Sequence, residues 1–290
     1  MTEPATGAIR IGISGYDYPS WRGAFYPPEL PRRSWLRWAA NAFDSIELNG
    51  TFYSLKTADA FRRWHDETPD GFVFAVKGSR FITHNLKLRH AGTALANFWA
   101  SGVLALGAKT GPFLWQLPAT YRFDHDRVAA FLDLLPRDSR DGERLARRHD
   151  ERAREPVLLE SGVMVSYRHA IEPRHPSYFE PAALALLRAH DCALVVADTA
   201  GRFPTSEELT ADFAYVRLHG SRALYASRYD DVELDAWAER IVSWASDIAH
   251  VRRDVYVYFD NDAHAHAPRD ARRLAERVRA VTPLVRSARS

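Results

Sequence analysis

The chain has 290 residues, 46% of them apolar, enough for a full buried core in one domain of the α/β barrel size range. Its 39 basic and 37 acidic side chains leave a net charge of +2, which excludes a general polyanion binder and leaves only a local basic patch open. The N-terminus lacks the basic and apolar regions of a signal peptide, no apolar run approaches the ~20 residues of a membrane span, and one cysteine cannot form an internal disulfide. A cytoplasmic protein without membrane partners is the expectation.

Eight short apolar segments follow one another: Ile9–Ser14, Ser45–Asn49, Phe72–Lys77, Phe113–Gln116, His169–Arg174, Ala193–Asp198, Phe213–His219 and Asp254–Asp260. Each ends in polar or charged residues. Helical signals fill the gaps. Ser34 is placed to cap a helix carrying Leu36, Ala39, Ala40 and Phe43, and Thr57 one carrying Phe61 and Trp64. Val128, Phe131, Leu132 and Leu135 form a third apolar stripe. Leu234, Trp237, Ala238, Ile241, Trp244, Ala245 and Ile248 form the clearest one. Pro268 opens a last helix carrying Leu274, Val278 and Val281. The run Arg137–Glu155 alternates in charge and reads as an exposed helix held by ion pairs, between the fourth and fifth strands. Eight β-then-α units predict a single (β/α)8 TIM barrel over residues 1–290, with one extra charged helix.

Strand alternation selects the residues that point inward at the polar strand ends: Ser14, Glu47, Asn49, Lys77, Gln116, Glu172, Arg174, Asp198, Arg217, His219 and Asp260, with Asn261 beside the last. Barrels place their chemistry at that end. Three readings compete. In the first, Glu47, Glu172 and His219 exchange protons, Lys77, Arg174 and Arg217 bind an anion, and Asn49, Gln116, Asp198, Asp260 and Asn261 orient and bind the substrate. In the second, Glu47, Glu172, Asp198, His219 and Asp260 hold a divalent metal, for which the arginines compete. In the third, the charges form an ion-pair network that plugs the barrel.

The loops add aromatic faces, among them Trp21 and Tyr53, beside Arg22, Arg80, Arg174 and Arg222; these suit a sugar ring or base carrying a phosphate, or pack upon themselves as a lid. Gly12-Ile-Ser-Gly-Tyr16 is not a nucleophile elbow, because its fifth residue is not glycine. His264 and His266 stand two apart in a loop, a weak spacing for one metal, and Cys192 reads as an inert buried thiol.

The first reading gives an acid–base enzyme, a hydrolase or isomerase, acting on a compact anionic, phosphorylated or sugar-like molecule without an assumed cofactor. A nucleic-acid-directed, metal-dependent phosphodiesterase or a DNA- or RNA-binding protein is the alternative, and a non-catalytic scaffold the third class. The sequence leaves oligomeric state open.

Seven stretches carry a resemblance: Gly12–Gly23, Phe43–Tyr53, Phe72–His84, Gly111–Pro118, Glu172–Tyr178, Tyr215–Gly220 and Tyr258–Asn261. In these motifs, and in their order, the chain resembles the YecE-like family of TIM barrels, a domain-of-unknown-function family (DUF72). The resemblance implies the barrel independently of the strand count. It marks Glu47, Asn49, Lys77, Gln116, Glu172, Arg174, Arg217, His219 and Asn261 as family-motif positions. The chain departs from the pattern at Asp260, where the family often has Asn, at Pro173, and at Tyr178, where Trp is common.

Overall fold

Short runs rich in β-branched and aromatic residues form nine parallel strands in a computed structural model that describes residues 7–246 and 252–287. They are β1 (Ile9–Ser14), β2 (Ser45–Leu48), β3 (Val73–Lys77), β4 (Thr110–Gln116), β5 (His169–Glu172), β6 (Cys192–Leu194), β7 (Val196–Asp198), β8 (Phe213–Leu218) and β9 (Asp254–Phe259). The helices are α1 (Trp35–Ala40), α2 (Gly50–Tyr53), α3 (Ala58–Asp66), α4 (Gly92–Ala100), α5 (His125–Leu134), α6 (Ser139–Ala146), α7 (Pro181–Ala189), α8 (Asp231–Ala245) and α9 (His266–Ser287). The fold class is the α/β barrel of TIM type. Every residue of β2, β3, β4, β5, β6 and β8 is buried, as expected of parallel strands covered on both faces.

Contacts divide the chain into two compact units, Met1–Ile46 with Val195–Ser290 and Glu47–Leu194. In the first unit the strands run in the order β1-β9-β8-β7. Ile9 to Ile13 pair with Val255 to Phe259, and Phe213 to Leu218 with Asp254 to Phe259. Gly12 is required here, because a Cβ would meet the Ser45 carbonyl oxygen at 1.8 Å. Helix α8 begins with a capping box between Asp230 and Glu233. Arg273 and Arg277 of α9 reach Asp231 and Asp235 of α8.

In the second unit the order is β6-β5-β4-β3. Trp99, Phe113, Trp115, Phe131 and Tyr167 pack as edge, tilted and stacked rings at 4.9–6.3 Å. His169 is part of that core. It accepts from the Trp115 indole at 3.2 Å and donates to the Pro136 carbonyl at 2.7 Å. Burial pushes its imidazole down to about 3, so it is neutral at pH 7.

Several boundaries differ from the sequence reading. The sixth predicted strand is two, because Cys192–Leu194 pairs with β5 whereas Val196–Asp198 pairs with β8. Asn49 leaves β2 to precede α2, and Arg174 lies beyond the end of β5. The charged run yields only α6 and then turns. Gly142, Leu145 and Ala146 of α6 are buried, and one short ion pair, Arg144 with Asp141, sits on its outer face. Thr57 caps α3 by accepting from the Ala60 N–H, but the Ser34 side chain caps nothing. Ile248 of the predicted stripe lies outside the described residues. Among the described residues, no helix is long and apolar enough to cross a membrane.

Candidate functional site

In the first unit, alternation puts Arg217 and His219 on the same side of the strand that ends at Leu218. Parallel register sets Leu218 opposite Phe259, so Asp260 follows at the same level. The Arg217 guanidinium is fully buried. It donates to Asp260 at 2.8 Å and to the Ser14 hydroxyl at 3.0 Å, and lies 3.4 Å from His219 Nε2. His219 Nδ1 lies 2.9 Å from the same Asp260 oxygen. One cation, one carboxylate and a buried imidazole thus meet in a single knot, each with a partner as burial demands.

Asp198 borders this knot through its carbonyl, which accepts from the His219 N–H at 2.9 Å, while its carboxyl accepts from the Tyr229 hydroxyl at 3.0 Å and the Ala200 N–H at 3.2 Å. Burial pushes its carboxyl above the usual carboxylate range, and those two donors only partly offset it. Asn261 ties the chain together, donating to the Ser227 carbonyl and the Asp270 carboxylate at 2.9 Å each.

The second unit holds a different arrangement. Glu172, 1% exposed, ends β5 opposite Gln116 of β4. Arg174 turns back so that its Nη2 and Nε lie 3.3 and 3.4 Å from one Glu172 oxygen. Lys77 ends β3 with its ammonium 4.7 Å from the centre of the Phe52 ring. The Thr51 hydroxyl lies between the Leu48 and Lys77 carbonyls, at 2.7 and 2.6 Å, and so fixes α2 against β3. Glu47 is fully buried on β2, and Asn49 follows it on the same side.

The edge of Phe52 meets the His84 ring at 5.2 Å. His84 belongs to a π-helical turn, Phe81–Asn85, and its Nδ1 is 2.9 Å from the Thr83 hydroxyl. Burial pushes His84 down to about 4; Arg80, Lys77 and Arg174 push the same way, and Glu172 opposes them. The imidazole is therefore neutral at pH 7. Alternation could not find His84, because it lies seven residues past the end of its strand. The usable signal was its place in the motif Phe72–His84.

The aromatic loops divide as well. Trp21 is fully buried, and its indole donates to the Asp262 carbonyl at 3.0 Å. Its neighbours Tyr18, Phe25 and Tyr26 pack on it, and Tyr26 stacks on Trp35 at 4.6 Å. Trp21 is thus a core residue and no outward-facing ring. Arg22 sits over Trp35, and Arg222 pairs with Asp230. Tyr53 and Phe81 of the second unit remain exposed, at 72% and 48%. Cys192 is buried, which pushes its thiol up to about 12. His264 and His266 face each other at 5.8 Å. Among the described residues, no three His, Cys, Asp or Glu side chains converge as a cage for a metal ion.

The family model described as "Protein of unknown function DUF72" matches residues 10–289. Among curated relatives, the UPF0759 protein YecE of Escherichia coli (strain K12) is 25% identical over 95% of this chain and 94% of its own length. The UPF0759 protein YunF of Bacillus subtilis (strain 168) is 22% identical over 92% of this chain and 94% of its own. A DUF72 family protein of Thermotoga maritima MSB8 (TM1631) has a similar crystal structure, with a TM-score of 0.73 and 24% identity, covering 94% of this chain and 99% of that one. Another, of Enterococcus faecalis V583 (EF0366), gives 0.69 and 16%, covering 93% and 95%.

Proposed function

The chain belongs to the DUF72 family, and from that premise we propose that it is an enzyme whose second unit performs general acid–base chemistry on a compact anionic substrate, phosphorylated or sugar-like. The observation that carries this reading is the gathering of Lys77, Arg80 and Arg174 around a neutral His84, with the buried Glu172 beside them. Arg80, Lys77 and Arg174 act on His84 as cations and Glu172 as the opposing carboxylate, a setting that suits an anionic ligand. Lys77 and Arg174 hold the anion. Glu172, the ionised partner of Arg174, accepts a proton from the substrate. A neutral His84 donates a hydrogen bond to the oxygen where charge develops and keeps its proton. Gln116 and Asn49 orient the substrate, and Glu47 balances charge. The knot around Arg217 and His219 serves as a buried frame for the first unit.

Thermal-shift measurements against inorganic phosphate and a panel of sugar phosphates test the anion. A ligand at about 100 times its Kd stabilises by about 2.7 kcal/mol. Stabilisation of the wild type that disappears in Lys77→Met and Arg174→Gln supports the reading; no stabilising anion, or one indifferent to both substitutions, removes it. With a substrate in hand, Glu172→Gln lowers kcat by roughly 10²–10⁴ and leaves the fold intact. A second reading, that these cations hold the phosphates of a nucleic acid, is favoured by the exposed rings of Tyr53 and Phe81. DNA or RNA binding that weakens steeply with salt would select it.

A further inference from the structure

A cleft of about 310 Å³ opens within the second unit and includes none of Lys77, Glu172 and Arg174. Tyr53 and Phe81 stand at its wall as rings exposed to 72% and 48%. Leu55, Ile82 and Leu86 give it an apolar lining, and Arg152 brings a positive charge. Among the described residues no acidic side chain lines it.

Two features show that the cleft is held in shape. The first is the seating of Arg152. Asn97 of α4 donates to Asp150 at 2.7 Å and accepts from the Asp150 N–H at 2.9 Å, and the Ser101 hydroxyl accepts from the Arg154 N–H at 2.8 Å. The end of the charged run is thereby fastened along α4, with Arg152 between the two fastenings. Asp150 offsets part of the Arg152 charge, but its carboxylate already accepts from the Asn97 amide and the Arg152 N–H. The second is backbone strain. The π-helical turn Phe81–Asn85 leads into Lys87, Leu88 and His90, all at φ between 48° and 66° without being glycine. Such conformations persist where the surroundings impose them, and they cluster at ligand clamps.

We propose that this cleft binds a small molecule built on a flat ring that carries one carboxylate or phosphate, with the ring against Tyr53 and Phe81 and the anion at Arg152. The volume is at the low end for small-molecule sites, which suits one ring system and no polymer. The ring faces supply stacking area at little entropic cost, and the guanidinium selects the charge.

Isothermal titration and amide NMR mapping on the full chain test this with naphthoate, naphthyl phosphate, uncharged naphthalenemethanol and the non-aromatic cyclohexanecarboxylate. The expected result is one saturable site for the charged aromatic probes, with shifts at residues 53–55, 79–94 and 152. The stronger of naphthoate and naphthyl phosphate identifies the anion. Phe81→Ala and Tyr53→Ser each weaken binding by roughly fivefold or more. Arg152→Gln removes the preference over naphthalenemethanol. Both rings are exposed, so their loss leaves the core untouched, and if one variant fails to fold the other still decides. Arg174→Gln leaves this binding unchanged, whereas it abolishes the anion effect proposed above, so the two proposals fail separately. Absence of a saturable site, equal affinity for cyclohexanecarboxylate, or loss of binding in Arg174→Gln but not in Phe81→Ala would overturn the proposal.

Discussion

The knot around Arg217 in the first unit and the group around Lys77 and Arg174 in the second are both built from strand-end charges, yet they differ in geometry and in access. Arg217 is fully buried, and its donors meet Ser14 and Asp260. Arg174 keeps part of its side chain in solvent and pairs with Glu172 at the longer distance of 3.3 Å. In the Arg217 knot one Asp260 oxygen lies within 2.9 Å of both Arg217 and His219. In the Lys77 group burial, helped by Arg80, Lys77 and Arg174, keeps His84 neutral. Residues of the same chemical type therefore sit in different settings, one closed to solvent and one partly open to it, and the open one is the better placed to take up a ligand.

The largest effect should come from breaking the closed set. Arg217→Met leaves Asp260 without its cation and should cost about 3–5 kcal/mol, read as a lower midpoint in urea. An unchanged midpoint would mean the knot is no frame.

Acid comes next. His169 and His84 both have folded values below the unfolded value near 6.5, at about 3 and about 4. Between those values and 6.5 the unfolded chain binds more protons than the folded one, so stability is full above pH 6.5 and falls as the pH drops. For the fully buried His169 the loss by pH 3 is on the order of a few kcal/mol. His169→Gln should flatten part of that decline in pH-dependent denaturation; an identical pH profile would rule out His169 as its source.

Ser14→Ala removes one acceptor of Arg217 and should cost about 1–2 kcal/mol. Arg174→Gln should cost less than Arg217→Met, because its amide can still donate to the buried Glu172, and it should remove anion binding. If Arg174→Gln destabilised as much as Arg217→Met, the contrast between the two groups would collapse.

Alternation alone made much of the closed set legible. Two residues apart on one strand meant one side for Arg217 and His219, and the end of the next apolar run supplied Asp260. The break at Val195 was invisible, because apolar patterning says nothing about which neighbour a strand pairs with. Trp21 was misjudged for a related reason. A ring in a Gly- and Pro-rich loop reads as exposed, and nothing local announces that the Asp262 carbonyl, 241 residues away, will take its N–H. His84 lay beyond the reach of strand periodicity, since its position depends on a π-helical turn and a ring contact with Phe52.

The pairing of β1 with β9 has a consequence for synthesis. The Ala8 N–H bonds to Asp254, a separation of 246 residues, so β1 leaves the ribosome long before β9 exists. Glu47–Leu194 is complete by then. At about 5–20 residues per second, β1 waits on the order of ten seconds or more. The edge of β1 that pairs with β9 is therefore among the last of the first unit to close.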